Sequence, residues 1–221
     1  MFVVLSLTAH GQRRRADLSV NTIPSPRSVL GFNPGDDRTI ADWKQITDYF
    51  ARLDKASDRV QLQTFGQSTL GRPLVAAFIS APENIRNLEK YKEIQARLAD
   101  PRQVTSELER DRLIREGKTV VVISCSIHST EIVASQMSTQ LAYNLASAND
   151  DDTLSILRNT ILILIPSPNP DGVDIVANHY RKTLGTPAEG REPPELYHHY
   201  AGHDDNRDWF MIDLKETKAV T

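Results

Sequence analysis

From Thr39 onward, hydrophobic positions recur at helical spacing. Ile40, Trp43, Ile46, Tyr49, Phe50 and Leu53 fall on one stripe and predict an amphipathic helix. Asp36 and Asp37 precede the stripe and suit a helix start on charge grounds. Alternation over residues 60–64 predicts a strand, and residues 73–80 (PLVAAFIS) predict a second. The stretch between them, residues 66–72 (GQSTLGR), is rich in turn formers and fits a hairpin. Helices are predicted over residues 84–98 and 105–116, separated at Pro101 and ended by Gly117. The second is densely charged and reads as surface-facing.

Two runs lack any alternation: residues 119–126 (TVVVISCS) and 161–166 (ILILIP). Both predict strands buried on two faces, as in a sheet covered by helices. Between them, residues 131–148 predict a helix with Ile132, Met137, Leu141 and Leu145 among its apolar positions. Residues 154–158 fit a shorter helix or turn. Strand, helix, strand in this order predicts an α/β fold with parallel pairing. After Asn169 the pattern fades into Gly, Pro, His and Asp, and residues 169–210 read as a long irregular region. Such a region beyond the carboxyl ends of strands is where α/β proteins build sites.

Composition narrows the picture. The 221 residues suffice for one domain with a real core. Hydrophobic residues make up 39% and charged residues 25%, as in soluble globular proteins. A net charge of −3 with interspersed signs argues against a nucleic-acid partner. No run approaches a membrane span. The single cysteine, Cys125, excludes an internal disulfide framework and reads as a small buried residue rather than a nucleophile. Residues 2–9 (FVVLSLTA), followed by Ala9-His10-Gly11, fit a secretory signal peptide that lacks its basic start, or alternatively a first strand. Arg-rich sequence and Pro24, Pro26 and Pro34 follow, which favours the signal reading and a secreted or periplasmic location. Residues 1–11 are then a signal remnant, 12–37 an extended lead-in and 38–221 the folded domain.

Candidate chemistry begins in residues 124–135 (SCSIHSTEIVAS). His128 and Glu131 share one side of a helical turn, and imidazole and carboxylate are both zinc ligands. The spacing alone fits equally a helix start that favours an acidic residue. Asn169-Pro170-Asp171-Gly172 leaves the second buried run. A strand-ending turn explains it; alternatively Asp171 orients His128, since a metal-bound His donates its other N–H to a carboxylate. Residues 202–210 (GHDDNRDWF) carry Asn206 and Arg207, and a guanidinium grips a carboxylate bidentately. A solvated loop with internal Arg–Asp pairs is the plain alternative. His203, His199 and His198 are further ligands by residue type, whereas His179 and His10 lack context. Tyr180-Arg181-Lys182-Thr183 is either surface or substrate-facing.

In this order the motifs resemble the zinc carboxypeptidase family, over roughly residues 39–213. The matching pieces are the hairpin with its Gly-Arg-Pro turn, SCSIHSTE, NPDG, RKT and the Asn206-Arg207 pair. The wording is most similar to a bacterial branch of secreted members. The resemblance implies a three-layer α/β/α sandwich on a mixed, mostly parallel sheet. It implies Zn2+ held by His128 and Glu131, Asp171 orienting His128, Arg181 lining the substrate cleft, and Asn206 with Arg207 binding a terminal carboxylate. It further implies hydrolysis of a peptide's C-terminal amide bond.

Three departures stand out. Leu184 occupies a position where many members have an arginine that polarises the scissile carbonyl, a task Arg181 or Arg191 would have to take over. Asp208 follows Asn-Arg where peptidases often have asparagine. The family's third zinc ligand and its general-base glutamate are expected beyond Thr221. An N-terminal part of this kind would leave an unpaired strand edge and exposed apolar surface, bind zinc weakly and hydrolyse little. Two alternatives stay open: a zinc deacylase or amidase on N-acyl amino acids, and a non-catalytic binding module of the same fold.

Overall fold

The computed structural model describes residues 22–195 and 201–221. The signal-like residues 1–11, and His10, His198 and His199, lie outside that range. Among the described residues the elements run α1 (Pro26–Leu30), α2 (Trp43–Ala56), β1 (Val60–Gln67), β2 (Pro73–Ile79), α3 (Pro82–Ile85), α4 (Leu88–Ala99) and α5 (Glu107–Glu116). They continue with β3 (Thr119–Ser124), α6 (Ile132–Ser147), α7 (Asp151–Asn159), β4 (Thr160–Ile165), α8 (Pro170–Thr183) and α9 (Lys215–Val220). No helix among these residues is long and apolar enough to cross a membrane.

Local chemistry sets the boundaries. α2 starts at Trp43 because Asp42 and Gln45 form a reciprocal capping box. Asp36 plays no part in that start; its carboxylate instead accepts the Asn33 backbone N–H at 2.7 Å. The predicted stripe is the core of the protein: Trp43, Ile46, Tyr49, Phe50 and Leu53 are all buried. Tyr49 and Phe50 meet edge to face at 5.6 Å. Within the predicted extended lead-in, Ser25 caps a short helix with Pro26 at its start, a signal present in the sequence. The predicted helix over 84–98 is divided into α3 and α4.

The four strands form one mixed sheet in the order β1-β2-β4-β3. β1 pairs with β2 and β2 with β4 antiparallel, and β3 pairs with β4 in parallel. The hairpin turn closes through Ser68 N–H to Arg72 O at 2.8 Å, with Gly71 left-handed at φ 84°. Alternation sorts the side chains. Val75, Ala77, Ile79, Leu162 and Leu164 join the main core with α2, α6 and Val173 of α8. On the opposite face, Gln63, Phe78, Ile161, Ile163 and Val120 meet Leu88, Tyr91 and Gln95 of α4 around a groove of about 320 Å³. Helices therefore cover both faces, as the three-layer expectation requires.

Two expectations need correction. β3 is not buried on two faces: Val120, Val121 and Val122 are 37%, 40% and 59% exposed. It is an edge strand, paired with β4 on one side and with no described strand on the other. An apolar run without alternation reports hydrophobicity, not how many neighbours the strand finds. Residues 169–210 are also not wholly irregular, because α8 occupies their first third. Asn169 accepts the Gly172 N–H at 2.9 Å as N-cap, Pro170 stands at N1, and Val173, Val176 and Ala177 are buried.

Candidate metal centre

β3 and β4 end side by side, with Ser124 opposite Ile165, and Cys125 N–H bonds Ile165 O at 2.9 Å. The loops that follow both strands therefore leave the same edge of the sheet. Cys125 is buried and its burial pushes the thiol pKa up, so it is packing material as expected. At Ser126 the backbone turns left-handed, φ 47°. Its hydroxyl donates to Glu131 O at 3.0 Å and accepts Ser135 N–H at 3.1 Å. These two bonds curl residues 126–131 onto the start of α6.

The loop brings the predicted pair together. His128 Nδ1 lies 3.1 Å from Glu131 Oε1, and Glu131 N–H bonds His128 O at 2.9 Å. Glu131 is the N-cap residue of α6 and its side chain makes no capping bond, so the carboxylate is free to act elsewhere. Two ligands about 2.0–2.2 Å from one tetrahedral zinc stand roughly 3.3–3.6 Å apart. The His128–Glu131 pair fits a shared cation with a small adjustment. Among the described residues no group of three His, Cys, Asp or Glu side chains is placed to hold a metal.

The far nitrogen of His128 faces a residue the sequence reading passed over. Nε2 lies 3.7 Å from Asp204 Oδ2. Asp204 precedes the short turn Asp205–Arg207 and is thus carried by the same segment as Asn206 and Arg207. Asp171 was expected beside His128. Its buried carboxylate instead accepts Ser68 Oγ–H at 2.7 Å, Leu70 N–H at 3.0 Å and Arg72 Nη1–H at 2.8 Å. Arg72 also reaches Asp174 at 2.5 Å. Asp171 therefore ties the hairpin turn to the start of α8. Asp204 sits in an equally turn-rich motif, and its approach to His128 is made by the tertiary fold.

Other predicted residues divide likewise. Arg207 is exposed, and its one hydrogen bond among the described residues goes to Asn206 O at 3.4 Å. The Asn206 amide is half-buried and makes no side-chain hydrogen bond there. Both are available to a ligand. Arg181 is engaged away from this cluster: it donates to Asp42 at 2.7 Å, Ile40 O at 2.8 Å and Gln45 at 2.7 Å. It secures the start of α2, where the resemblance implied a cleft wall. His203 is a poor metal ligand as it stands. Nε2 lies 2.9 Å from Asp208 and Nδ1 3.1 Å from Ala201 O. Its hydrogen bond to Asp208 holds its pKa up against desolvation. Burial pushes the Asp208 carboxyl up, but bonds from Thr217, Leu214 N–H, His203 and Asp213 N–H outweigh it and hold the pKa well below the usual range.

Comparison with known proteins agrees with this architecture. The family model for zinc carboxypeptidases matches residues 46–219. No curated protein shows significant similarity to the chain. Among solved structures, thrombin activatable fibrinolysis inhibitor aligns at a TM-score of 0.50 with 12% identity, over 91% of this chain and 46% of that one. Carboxypeptidase A from Helicoverpa armigera aligns at 0.44 with 18% identity, over 73% and 32%. The metallo-carboxypeptidase from Burkholderia cenocepacia aligns at 0.41 with 18% identity, over 69% and 34%. The chain thus spans between about a third and a half of the length of these structures. With its mixed sheet, its helical layers and a family match over most of its length, this chain belongs to the zinc carboxypeptidase family.

Proposed function

We propose that the chain carries part of a zinc-dependent site for cleaving the C-terminal amide bond of a peptide. The observation that carries this reading is the His128 ring, set between Glu131 at Nδ1 and Asp204 at Nε2. His128 Nδ1 and Glu131 Oε1 would hold the metal. Asp204 would keep the proton on Nε2, leaving Nδ1 unprotonated as a ligand must be. When bound, zinc supplies Lewis-acid polarisation of a carbonyl and an acidified water.

The chain's own residues bind and orient. Arg207, without a carboxylate partner among the described residues, grips the terminal carboxylate of the substrate, and the Asn206 amide donates beside it. Fixing that end positions the scissile bond, and orientation is a large part of catalysis. Among the described residues no third ligand stands with the pair. With this pair alone as ligands, zinc binding is expected to be weak.

Calorimetric zinc titration tests the reading. One equivalent should bind, and His128→Ala should abolish binding. Unchanged binding in that variant would sink the assignment. Short peptides compared with N-acyl amino acids would distinguish a carboxypeptidase from an amidase. Arg207→Ala should weaken only ligands with a free carboxylate.

A further inference from the structure

The NPDG motif has so far explained only a helix start and a salt bridge. Its surroundings assign it more. Four contacts press the metal loop against residues 167–172. Ser167 Oγ–H donates to Ser126 O at 2.9 Å, and Asn169 Nδ2–H donates to Ile127 O at 3.2 Å. Ser129 Oγ–H approaches Asn169 O at 3.5 Å. The fourth is steric: a Cβ built on Gly172 would overlap Ser129 Oγ and lie 2.8 Å and 2.9 Å from the Asn169 side-chain nitrogen and oxygen. Ser129 is buried and lies next to His128 in the chain.

We infer that Gly172 is a positioning residue for the metal pair: the space left by its missing side chain seats Ser129 and so sets where His128 and Glu131 stand. The inference rests on the proposal that those two residues hold a metal. The physical reason is that interiors are close-packed and transmit displacement. Any side chain at 172 must move Ser129 Oγ or the Asn169 amide. Both are fastenings of the loop that carries His128, and Asn169 is also the cap of α8. The seat is fixed from behind, because Asp171 binds Arg72, Ser68 and Leu70 of the hairpin turn. The glycine is required by this close approach, since its backbone is not left-handed.

The test compares zinc affinity in the 221-residue chain with Gly172→Ala, Ser129→Thr and a control, Ile94→Ala, on α4. Gly172→Ala should lose affinity by about tenfold or more, the scale seen when a residue supporting a ligand is disturbed. Ser129→Thr, which enlarges the other partner in the seat, should lose affinity likewise; it serves if Gly172→Ala does not fold. Ile94→Ala removes buried volume beside Gly117, before the start of β3 and at the other end of that strand from the loop, and should destabilise the fold while the folded protein binds zinc as the wild type does. Zinc affinity within twofold of wild type in folded Gly172→Ala or in Ser129→Thr overturns the inference. So does an equal loss in Ile94→Ala. The metal-free chain gives an independent readout, the NMR positions of the His128 ring. They should move in Gly172→Ala and stay in Ile94→Ala; the reverse pattern overturns the inference. A wild type that binds no zinc while showing this pattern would refute the metal reading and leave the positioning role standing.

Discussion

Asp204 Oδ2 and His128 Nε2 face each other across 3.7 Å, on the opposite side of the ring from Glu131. A carboxylate there favours the tautomer that leaves Nδ1 open to a metal. Asp204→Asn and Asp204→Ala should each weaken zinc binding by about 10–100-fold. Asp171→Asn should weaken it far less, because Asp171 binds other groups. Calorimetry on the three variants checks the ranking, and a larger loss for Asp171 would restore the sequence-based assignment.

The Arg72–Asp171 pair is asymmetric, with side chains 29% and 1% exposed. Arg72→Ala strands a buried carboxylate and should cost about 3–5 kcal/mol of stability. Asp171→Ala should cost less, since Arg72 keeps Asp174 and reaches water. Lysine at 72 should rescue poorly, because one ammonium cannot fork between two carboxylates as a guanidinium does. Urea unfolding of the three variants measures these differences.

His203 and Asp208 hold the segment before α9 together, and the two shifts have opposite pH signatures. His203 has a raised folded pKa, so its contribution is complete below about pH 6.5. That contribution fades as pH rises through the folded value. Asp208 has a lowered folded pKa, so its contribution is complete above about pH 3.9 and fades only in stronger acid. The melting temperature of His203→Gln should therefore fall below wild type near pH 5–6 and converge with it in alkali, where His203 is neutral. A gap that widened with pH would contradict the assignment.

Strand β3 presents three exposed valines on an edge that no strand among the described residues pairs. Such an edge is a template for pairing with another chain. Val122→Lys should lower self-association in sedimentation experiments and leave the circular dichroism spectrum unchanged. Association that persists would place the contact elsewhere.

The sequence was most legible where one physical signal acts alone. The α2 stripe needed only periodicity, and the hairpin needed only its turn residues. α8 was obscured because its Gly, Asp and His residues drew attention as chemistry, although Val173, Val176, Ala177 and Tyr180 already kept helical spacing. Within the candidate site, the closeness of His128 and Glu131 was legible because three residues of a turn place them together. Asp204 was not, since its approach to His128 is made by the fold. Arg181 illustrates the converse: a cation in a promising motif had a structural task at α2 that no local pattern shows.

Ser126 sets a substitution filter on the whole loop. Its left-handed backbone is disfavoured for residues with a Cβ and strongly so for branched ones. Glycine would accept that backbone but would delete the hydroxyl that joins Glu131 O to Ser135 N–H. Valine or threonine would raise the backbone strain. Serine is thus a compromise between conformational freedom and a bridging oxygen. A homologous chain that changes this position must find another fastening for the turn that carries its histidine.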